Sequence, residues 1–179
     1  MKIIWPAAFA LSAVVVLSSL EGCASAATSQ AMTAEIVAPV HHSASAVTVA
    51  VAGGKETSAV GASQISNDAF AAALRDSIEK SGLFAKVADS GARYKLSGFI
   101  GKVDQPMFGL TLVVKMEVSY TLTDTQSATT VWTHDIASEH TSKFGDAAVA
   151  AKRLRLANEG AAKDNIQQAI AAIAALNLD

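Results

Sequence analysis

The stretch from Leu112 to Leu122 constrains the fold most, because apolar and polar side chains alternate along all of it. Successive side chains of a strand point to opposite faces of the sheet, so the pattern predicts a strand with one buried face and one wet face. A sheet that meets water on one face is commonly antiparallel. The apolar positions are Leu112, Val114, Met116, Val118, Tyr120 and Leu122.

Shorter stretches predict the neighbours of this strand. Polar turns at 104–109 and 124–128 separate the later strands and favour hairpin connections between them. Together the segments predict an antiparallel sheet of four or five strands. The further predicted strands are Val47–Val51, Phe84–Val87, Tyr94–Val103 and Thr130–Ser138, the last with Trp132 and Ile136 on one face.

A helix is predicted after Ser66, which is a favourable N-cap residue. Ile65 precedes the cap and can pack on Phe70, and Gly82 is typical of a helix end. A second helical segment extends from Gly145 to Leu176, either as one long helix with a kink near Gly160 or as two helices that meet there. The sequence therefore predicts an α+β fold, a two-layer sandwich in which two helices cover one face of the sheet.

The amino-terminal segment has the layout of a secretory signal, with Lys2 followed by an apolar run that ends at Leu20. Leu20, Gly22 and Cys23 match a lipobox, in which the cysteine becomes acylated with palmitate and other chains; Glu21 departs from the motif. An alternative is ordinary cleavage at Ala24-Ser25-Ala26. The first interpretation predicts a lipoprotein, and the second predicts a protein secreted to the periplasm.

The lipoprotein interpretation divides the chain into a signal peptide at 1–22, an acylated Cys23 with a flexible tether at 23–46, and one α+β domain at 47–179. A flexible coil of the tether's length reaches roughly 25 Å. Ala24 follows the cysteine in place of the aspartate that retains many lipoproteins in the inner membrane. We therefore expect the lipoprotein to be anchored on the periplasmic face of the outer membrane.

Composition excludes several classes of function. The 179 residues carry a net charge of -2, which does not favour nucleic acid as a partner. With one cysteine, no internal disulfide can form. The sequence has no G-x-S-x-G motif and no complete phosphate loop around Gly53-Gly54-Lys55, which is expected to be a turn. We expect no catalytic residues, no cofactor and a protein that is not an enzyme.

Three groups of residues are candidates for binding sites. The histidines His41, His42, His134 and His140 are expected to be exposed and not to hold a metal. Lys152, Arg153 and Arg155 are expected to form a solvated helix face. Met107 and Phe108 are two large apolar residues at a predicted hairpin tip; either Phe108 folds back onto the core, or the pair contacts a membrane or a partner.

Several segments between Val47 and Leu176 resemble a family of small, uncharacterised proteobacterial lipoproteins. These include Ser81-Gly82-Leu83-Phe84, Pro106-Met107-Phe108-Gly109 and the run from Arg153 to Ala162. Some relatives carry a UDP-N-acetylglucosamine acyltransferase label, but such enzymes are β-helices with hexapeptide repeats, which this sequence lacks. The order of elements is also similar to auxiliary lipoproteins of ABC-type lipid transport and to the lipopolysaccharide-assembly lipoprotein.

The resemblance implies a non-enzymatic outer-membrane lipoprotein that serves a lipid or glycan system of the envelope as an accessory or assembly subunit. Its expected contacts are the membrane, through Cys23, and an envelope protein. Two alternatives are a module that binds a lipid or small amphiphile between sheet and helices, and the acyltransferase named above. Because architecture alone does not fix function, all three are expectations.

Overall fold

The structure is a computed structural model that describes residues 25–35, 41–58, 61–106 and 108–178. The predicted signal peptide, Leu20, Gly22, Cys23 and Met107 lie outside the described residues. The described elements are, in chain order, α1 (Ser29–Met32), β1 (Ser43–Ala52), α2 (Asn67–Ser81), β2 (Phe84–Val87), β3 (Tyr94–Asp104), β4 (Leu112–Asp124), β5 (Thr129–Ser142) and α3 (Ala150–Ala174).

The five strands form one sheet in the order β2-β1-β3-β4-β5, with α2 and α3 packed on one face. This confirms the α+β sandwich, but the sheet is mixed: β1 runs parallel to β2 and β3, and the antiparallel part is limited to β3, β4 and β5. The helical connection explains the difference, because α2 returns the chain over the sheet and β2 then enters in the direction of β1. Short turns join β3, β4 and β5, as predicted.

Helix α2 begins and ends where the sequence indicates. The Ser66 hydroxyl accepts a hydrogen bond from the backbone N–H of Ala69 at 3.2 Å. At the other end Gly82 adopts φ 65°, a left-handed conformation that costs glycine little. Phe70, Leu74 and Ile78 recur every four residues and are fully buried, so they form the face of α2 that packs on β1 and β2.

Helix α3 runs unbroken for 25 residues, so two helices do not meet at Gly160. It packs on β4 and β5 through small residues such as Ala157 and Ala161 and through Ile166 and Ile170, all fully buried. In the part of the chain that the structure describes, no helix is both long enough and apolar enough to cross a bilayer.

The core lies between the sheet and the helices and contains a hydrogen-bonded polar cluster. Tyr120 on β4 donates to Asn165 Oδ1 at 2.8 Å, and Asn165 Nδ2 donates to the Ile136 carbonyl at 2.8 Å. Burial raises the pKa of Tyr120, so its hydroxyl stays protonated and remains a donor. These hydrogen bonds fix the position of α3 along β4 and β5.

The amino-terminal segment 25–35 is packed against the domain, which differs from the flexible tether expected up to residue 46. Helix α1 contacts both α2 and α3, and Met32 is fully buried. Two polar contacts hold the segment: Glu159 accepts from the backbone N–H of Thr28 at 3.0 Å, and the Ser77 hydroxyl accepts from the N–H of Ala34 at 2.9 Å. The small residues that suggested a linker instead let the chain lie close to the helices.

Candidate functional site

Two loops lie side by side at one end of the sheet. One joins β3 to β4 (105–111) and contains the predicted apolar tip, and the other joins β5 to α3 (143–149). Phe108 is 86% exposed, so its side chain does not fold back onto the core. The contact proposed for Met107 and Phe108 stays a prediction, since Met107 lies outside the described residues.

Arg153 links these two loops. Its Nη1 donates to the carbonyls of Ala147 at 2.8 Å and Ala148 at 2.9 Å, and its Nη2 donates to the carbonyl of Gly109 at 3.2 Å. The guanidinium carbon lies 5.5 Å from the centre of the Phe144 ring. Arg153 is only 4% exposed, so the solvated face expected for this cation is wrong.

The two loops present four large apolar side chains to solvent, and we call this surface the apolar end. Each of the four is more than half exposed, although polar residues are the rule in such loops. Contiguous exposed apolar surface marks interaction sites more often than isolated exposed residues do. The apolar end consists of Phe108, Leu110, Phe144 and Val149.

The sequence indicated only part of this surface. Met107 and Phe108 drew attention because they are apolar residues at a turn, and the same criterion applied to Phe144, next to Gly145-Asp146, would have found the second loop. The role of Arg153 has no local signature. It depends on the tertiary approach of two loops that are more than 30 residues apart in the chain.

The first described residues of the chain lie near this end. Arg155 Nη1 donates to the Ser25 hydroxyl at 2.9 Å, and Arg155 is two positions along α3 from Arg153. Both arginines lie in the first two turns of α3. Ser25 is therefore held beside the helix turns that support the apolar end.

The side-chain amides of half-buried Gln105 and buried Asn158 support the base of the first loop. Gln105 Nε2 donates to Asn158 Oδ1 at 2.9 Å and to the Ser63 carbonyl at 2.8 Å. Asn158 Nδ2 also donates to the Ser63 carbonyl, at 2.9 Å. These bonds fix the point where β3 ends, so the apolar tip projects from a defined position.

A cleft of ≈ 390 Å³ opens on the sheet face away from the helices. The cleft lies beside an irregularity between Ile100 and Lys102, where β3 shifts its register on β4. Lys102 and Asp104 are 2.7 Å apart, and this hydrogen bond raises the pKa of Lys102. The charges that line the cleft are Lys102, Asp104, Lys115, Glu117 and Glu139.

These charges largely neutralise one another and are exposed to solvent. Lys115 lies 3.8 Å from Glu139, and both side chains are 65% exposed. Exposed ion pairs of this kind contribute little energy and do not create the perturbed, desolvated groups typical of catalysis. The cleft is best described as a hydrated, polar part of the sheet surface.

His42, His134 and His140 make separate local contacts. His42 Nδ1 lies 2.7 Å from the Gly82 carbonyl, His134 stacks on Trp132, and His140 Nδ1 lies 3.0 Å from Asp164 Oδ2. Across 25–35, 41–58, 61–106 and 108–178, no three His, Cys, Asp or Glu residues are arranged to hold a metal ion. Gly53 has φ 86°, and the N–H of Gly54 donates to Asn67 Oδ1 at 2.7 Å, as expected of a turn.

Strand β5 is the longest strand and lies at one edge of the sheet. Its 14 residues pair with β4 on one side, and on the other side the described residues supply no strand. The strand at the opposite edge, β2, has only 4 residues and so offers few backbone groups for pairing. A long edge strand is a template for pairing with another chain, which most proteins avoid by shortening or covering the edge.

Comparison with known proteins shows a shared fold. No family model and no curated protein matches the sequence. Protein XCC0632 from Xanthomonas campestris, of the DUF330 family, is similar at TM-score 0.61 and 14% identity over 78% of this chain and 90% of its own.

Two further crystal structures are similar. CT253 from Chlamydia trachomatis gives TM-score 0.52 and 9% identity over 75% of this chain and 100% of its own. The dodecamer of a PelC point variant from Paraburkholderia phytofirmans gives TM-score 0.50 and 18% identity over 81% of this chain and 95% of its own. At such low identities these likenesses establish a common α+β fold and leave the function to be argued from the surface of this chain.

Proposed function

We propose that the protein is a lipoprotein of the outer membrane, anchored through Cys23 on the periplasmic face, and that it acts as a non-enzymatic accessory or assembly subunit of an envelope system that handles lipid or glycan. The signal-like segment and the lipobox residues Leu20, Gly22 and Cys23 support the anchor. Its partner is an envelope protein or a second copy of the chain. Nucleic acid and cofactors have no part in this proposal.

The observation that carries the assembly role is the open edge of β5. A strand from a partner can add to this edge by backbone hydrogen bonds, which supply affinity without a preformed pocket. Asp135 and Glu139 project from the wet face of β5 and are exposed, so they favour a partner with cations at the facing positions. That the PelC of similar fold is a dodecamer also supports assembly.

The alternatives have weaker support. A module that holds lipid between sheet and helices needs space there, but this layer is filled by fully buried side chains such as Phe70, Leu96 and Tyr120. An acyltransferase needs activated groups that converge on a substrate. The charged groups around the cleft on the sheet face are exposed and include the ion pairs Lys102–Asp104 and Lys115–Glu139.

The assembly role can be tested with a photo-crosslinking amino acid placed at Asp135 in the full-length protein in intact cells. We expect defined adducts with an envelope protein or with the protein itself. The same crosslinker at Gln167, an exposed position on α3, is the matched control. Equal or absent crosslinking at both positions would refute a role for the β5 edge.

The anchor is tested independently by labelling cells with palmitate. We expect label in the wild-type protein and none in Cys23→Ala, together with release of the variant from the membrane fraction. A single acyl chain binds a membrane only marginally, whereas several chains anchor it stably. Release of the unsubstituted protein by salt alone would therefore contradict the anchor.

A further inference from the structure

We propose that the apolar end rests on the same phospholipid bilayer that holds the acyl chains of Cys23, so that the domain has a fixed orientation on the membrane. This inference rests on the lipidation of Cys23 proposed above and adds a second contact beside the anchor. Three features carry it: the position of Ser25, the exposure of the apolar side chains, and the charge around them.

The proposed anchor lies close to the domain along the chain. Ser25 is bound to Arg155, and only one residue separates it from Cys23. Two peptide units span at most about 7.6 Å between Cα atoms. The acyl chains therefore start close to the first turns of α3, which is the part of the helix that supports the apolar end.

The apolar end presents exposed side chains on a fixed base. Phe108 is 86% exposed and Leu110 is 70% exposed, which is unfavourable in water. Arg153 holds both loops through three carbonyls, so these side chains are presented from a fixed base. A preorganised apolar surface loses less conformational entropy when it is covered. Side chains of this type insert into the boundary between headgroups and acyl chains.

Charge around the apolar end also favours a bilayer. Between residues 143 and 155 there are four cations and one carboxylate, whereas the whole chain has a net charge of -2. Two of the four are engaged within the protein, since Arg153 is buried against carbonyls and Arg155 lies 3.8 Å from Glu159. Lys143 and Lys152 in this segment are exposed. A surface that combines apolar side chains with a rim of cations is complementary to a bilayer with anionic headgroups. An apolar protein partner would not require these cations.

The test uses full-length, acylated protein reconstituted into vesicles of phosphatidylethanolamine and phosphatidylglycerol. Acylation consumes the Cys23 thiol, so Phe108→Cys and Leu110→Cys each provide the only free thiol for a fluorescent probe. Val131→Cys is the matched control. Val131 is also an exposed apolar residue, 41% accessible, but it lies near the start of β5, at the opposite end of the sheet from the two loops.

Quenching by lipids that carry a nitroxide near the headgroups then reports contact with the bilayer. We expect probes at Phe108 and Leu110 to be quenched several-fold more strongly than the probe at Val131. Equal, weak quenching at all three positions in protein that floats with the vesicles would overturn the inference and leave the anchor intact. Failure to float, with a free Cys23 thiol in the unsubstituted protein, would overturn the anchor and with it this inference.

A second copy of the chain is the remaining occupant of the apolar end, and the same probes distinguish it. Protection of the Phe108 probe in lipid-free detergent, increasing with protein concentration, would assign the surface to self-association and overturn membrane contact. Concentration-independent exposure in detergent, with quenching in vesicles, supports the bilayer.

Discussion

Gly160 determines how closely α3 approaches β5. A Cβ atom built on Gly160 would overlap the imidazole ring of His140, which in turn pairs with Asp164 on the next turn of α3. Glycine weakens a helix interior by roughly 0.5–1 kcal/mol relative to alanine. The contact with the ring explains why a helix of 25 residues contains glycine at this position.

Gly160→Ala is therefore expected to destabilise the protein. Overpacking costs about 1–3 kcal/mol, which exceeds the gain in helix propensity of about 1 kcal/mol at most. In a His140→Ala background the clash is absent, and the same substitution should stabilise by roughly 0.5–1 kcal/mol. Urea unfolding of the four variants measures this change of sign, and Gly145→Ala, with no atoms within 4 Å of the new Cβ, is the control.

Asp124 at the end of β4 is expected to make stability depend on acid pH. The backbone N–H of Gln126 lies 2.9 Å from Oδ1 and Arg93 Nε lies 3.1 Å from Oδ2; these contacts lower the pKa of Asp124 below its ordinary value of 3.8. A lowered folded-state pKa gives stability that is present above 3.8 and lost as the pH falls toward the folded-state value.

Asp124→Asn should accordingly be less stable than the wild type at pH 7, and the difference should shrink as the pH falls below about 4. Thermal unfolding at a series of pH values measures the difference. Asp89→Asn is the control, because the Asp89 carboxylate is 95% exposed although it pairs with Arg75. A difference that grows toward acid pH would contradict the sign.

The elements at the apolar end depend on one buried cation. Arg153 is the only side chain among the described residues that donates hydrogen bonds to both the β3–β4 loop and the β5–α3 loop. Without it, the carbonyls of Gly109, Ala147 and Ala148 lose a charged donor. Hydrogen bonds to charged groups contribute about 1.5–3 kcal/mol each, although the values are not additive.

Arg153→Met should thus lower the free energy of unfolding by about 2–3 kcal/mol. Lys152→Met, an exposed neighbour on the same helix turn, should change it by less than about 0.5 kcal/mol. Urea unfolding provides the comparison. Hydrogen exchange should also show faster exchange in both loops of Arg153→Met, and similar behaviour of the two variants would rule out the link.

Helix α1 belongs to the folded domain through Met32, which is fully buried. Met32→Ala should cost about 2–5 kcal/mol, as for other large apolar residues of a core. The same substitution in a free tether would leave the free energy of unfolding unchanged. Gln30→Ala is the control, because Gln30 is exposed on the same short helix. Equal stability of both variants in urea would show that this segment is a free tether.

The elements that were predictable from sequence are those with local signals. Helix α2 has its cap at Ser66 and its stop at Gly82, and β4 has strict alternation, so both follow from neighbouring residues. The direction of β1 depends on which strands it meets after the α2 connection, and the docking of 25–35 depends on Glu159 and Ser77 far along the chain. Local composition describes neither of these long-range contacts.

For the whole molecule, the candidate site was predictable only where an apolar residue stood out in a turn. Phe108 met that criterion, but its grouping with Phe144 and Val149 required the two loops to lie side by side. The open β5 edge was equally hidden, because strand order is a property of the assembled sheet. Sequence therefore predicted the class of fold and one residue of the surface, and the arrangement of the surface came from tertiary structure.

A change in the distance between anchor and domain should alter assembly without altering the fold. Inserting about 12 Gly and Ser residues between Ala24 and Ser25 adds a reach of roughly 20 Å. We expect unchanged urea unfolding and weaker crosslinking from Asp135. An inserted charged, helical segment of the same length tests whether distance alone is responsible, and unchanged crosslinking with both insertions would contradict the dependence.

With the anchor proposed at Cys23, the docking of Ser25 would restrict the search for a partner to two dimensions. A copy with one residue between Cys23 and Ser25 would diffuse in the plane of a leaflet and turn mainly about the membrane normal. Neighbouring copies then present their β5 edges at a common height, where a modest affinity is multiplied by a high effective concentration. Under this restriction, side-by-side contacts that follow the plane are favoured over contacts that stack away from it.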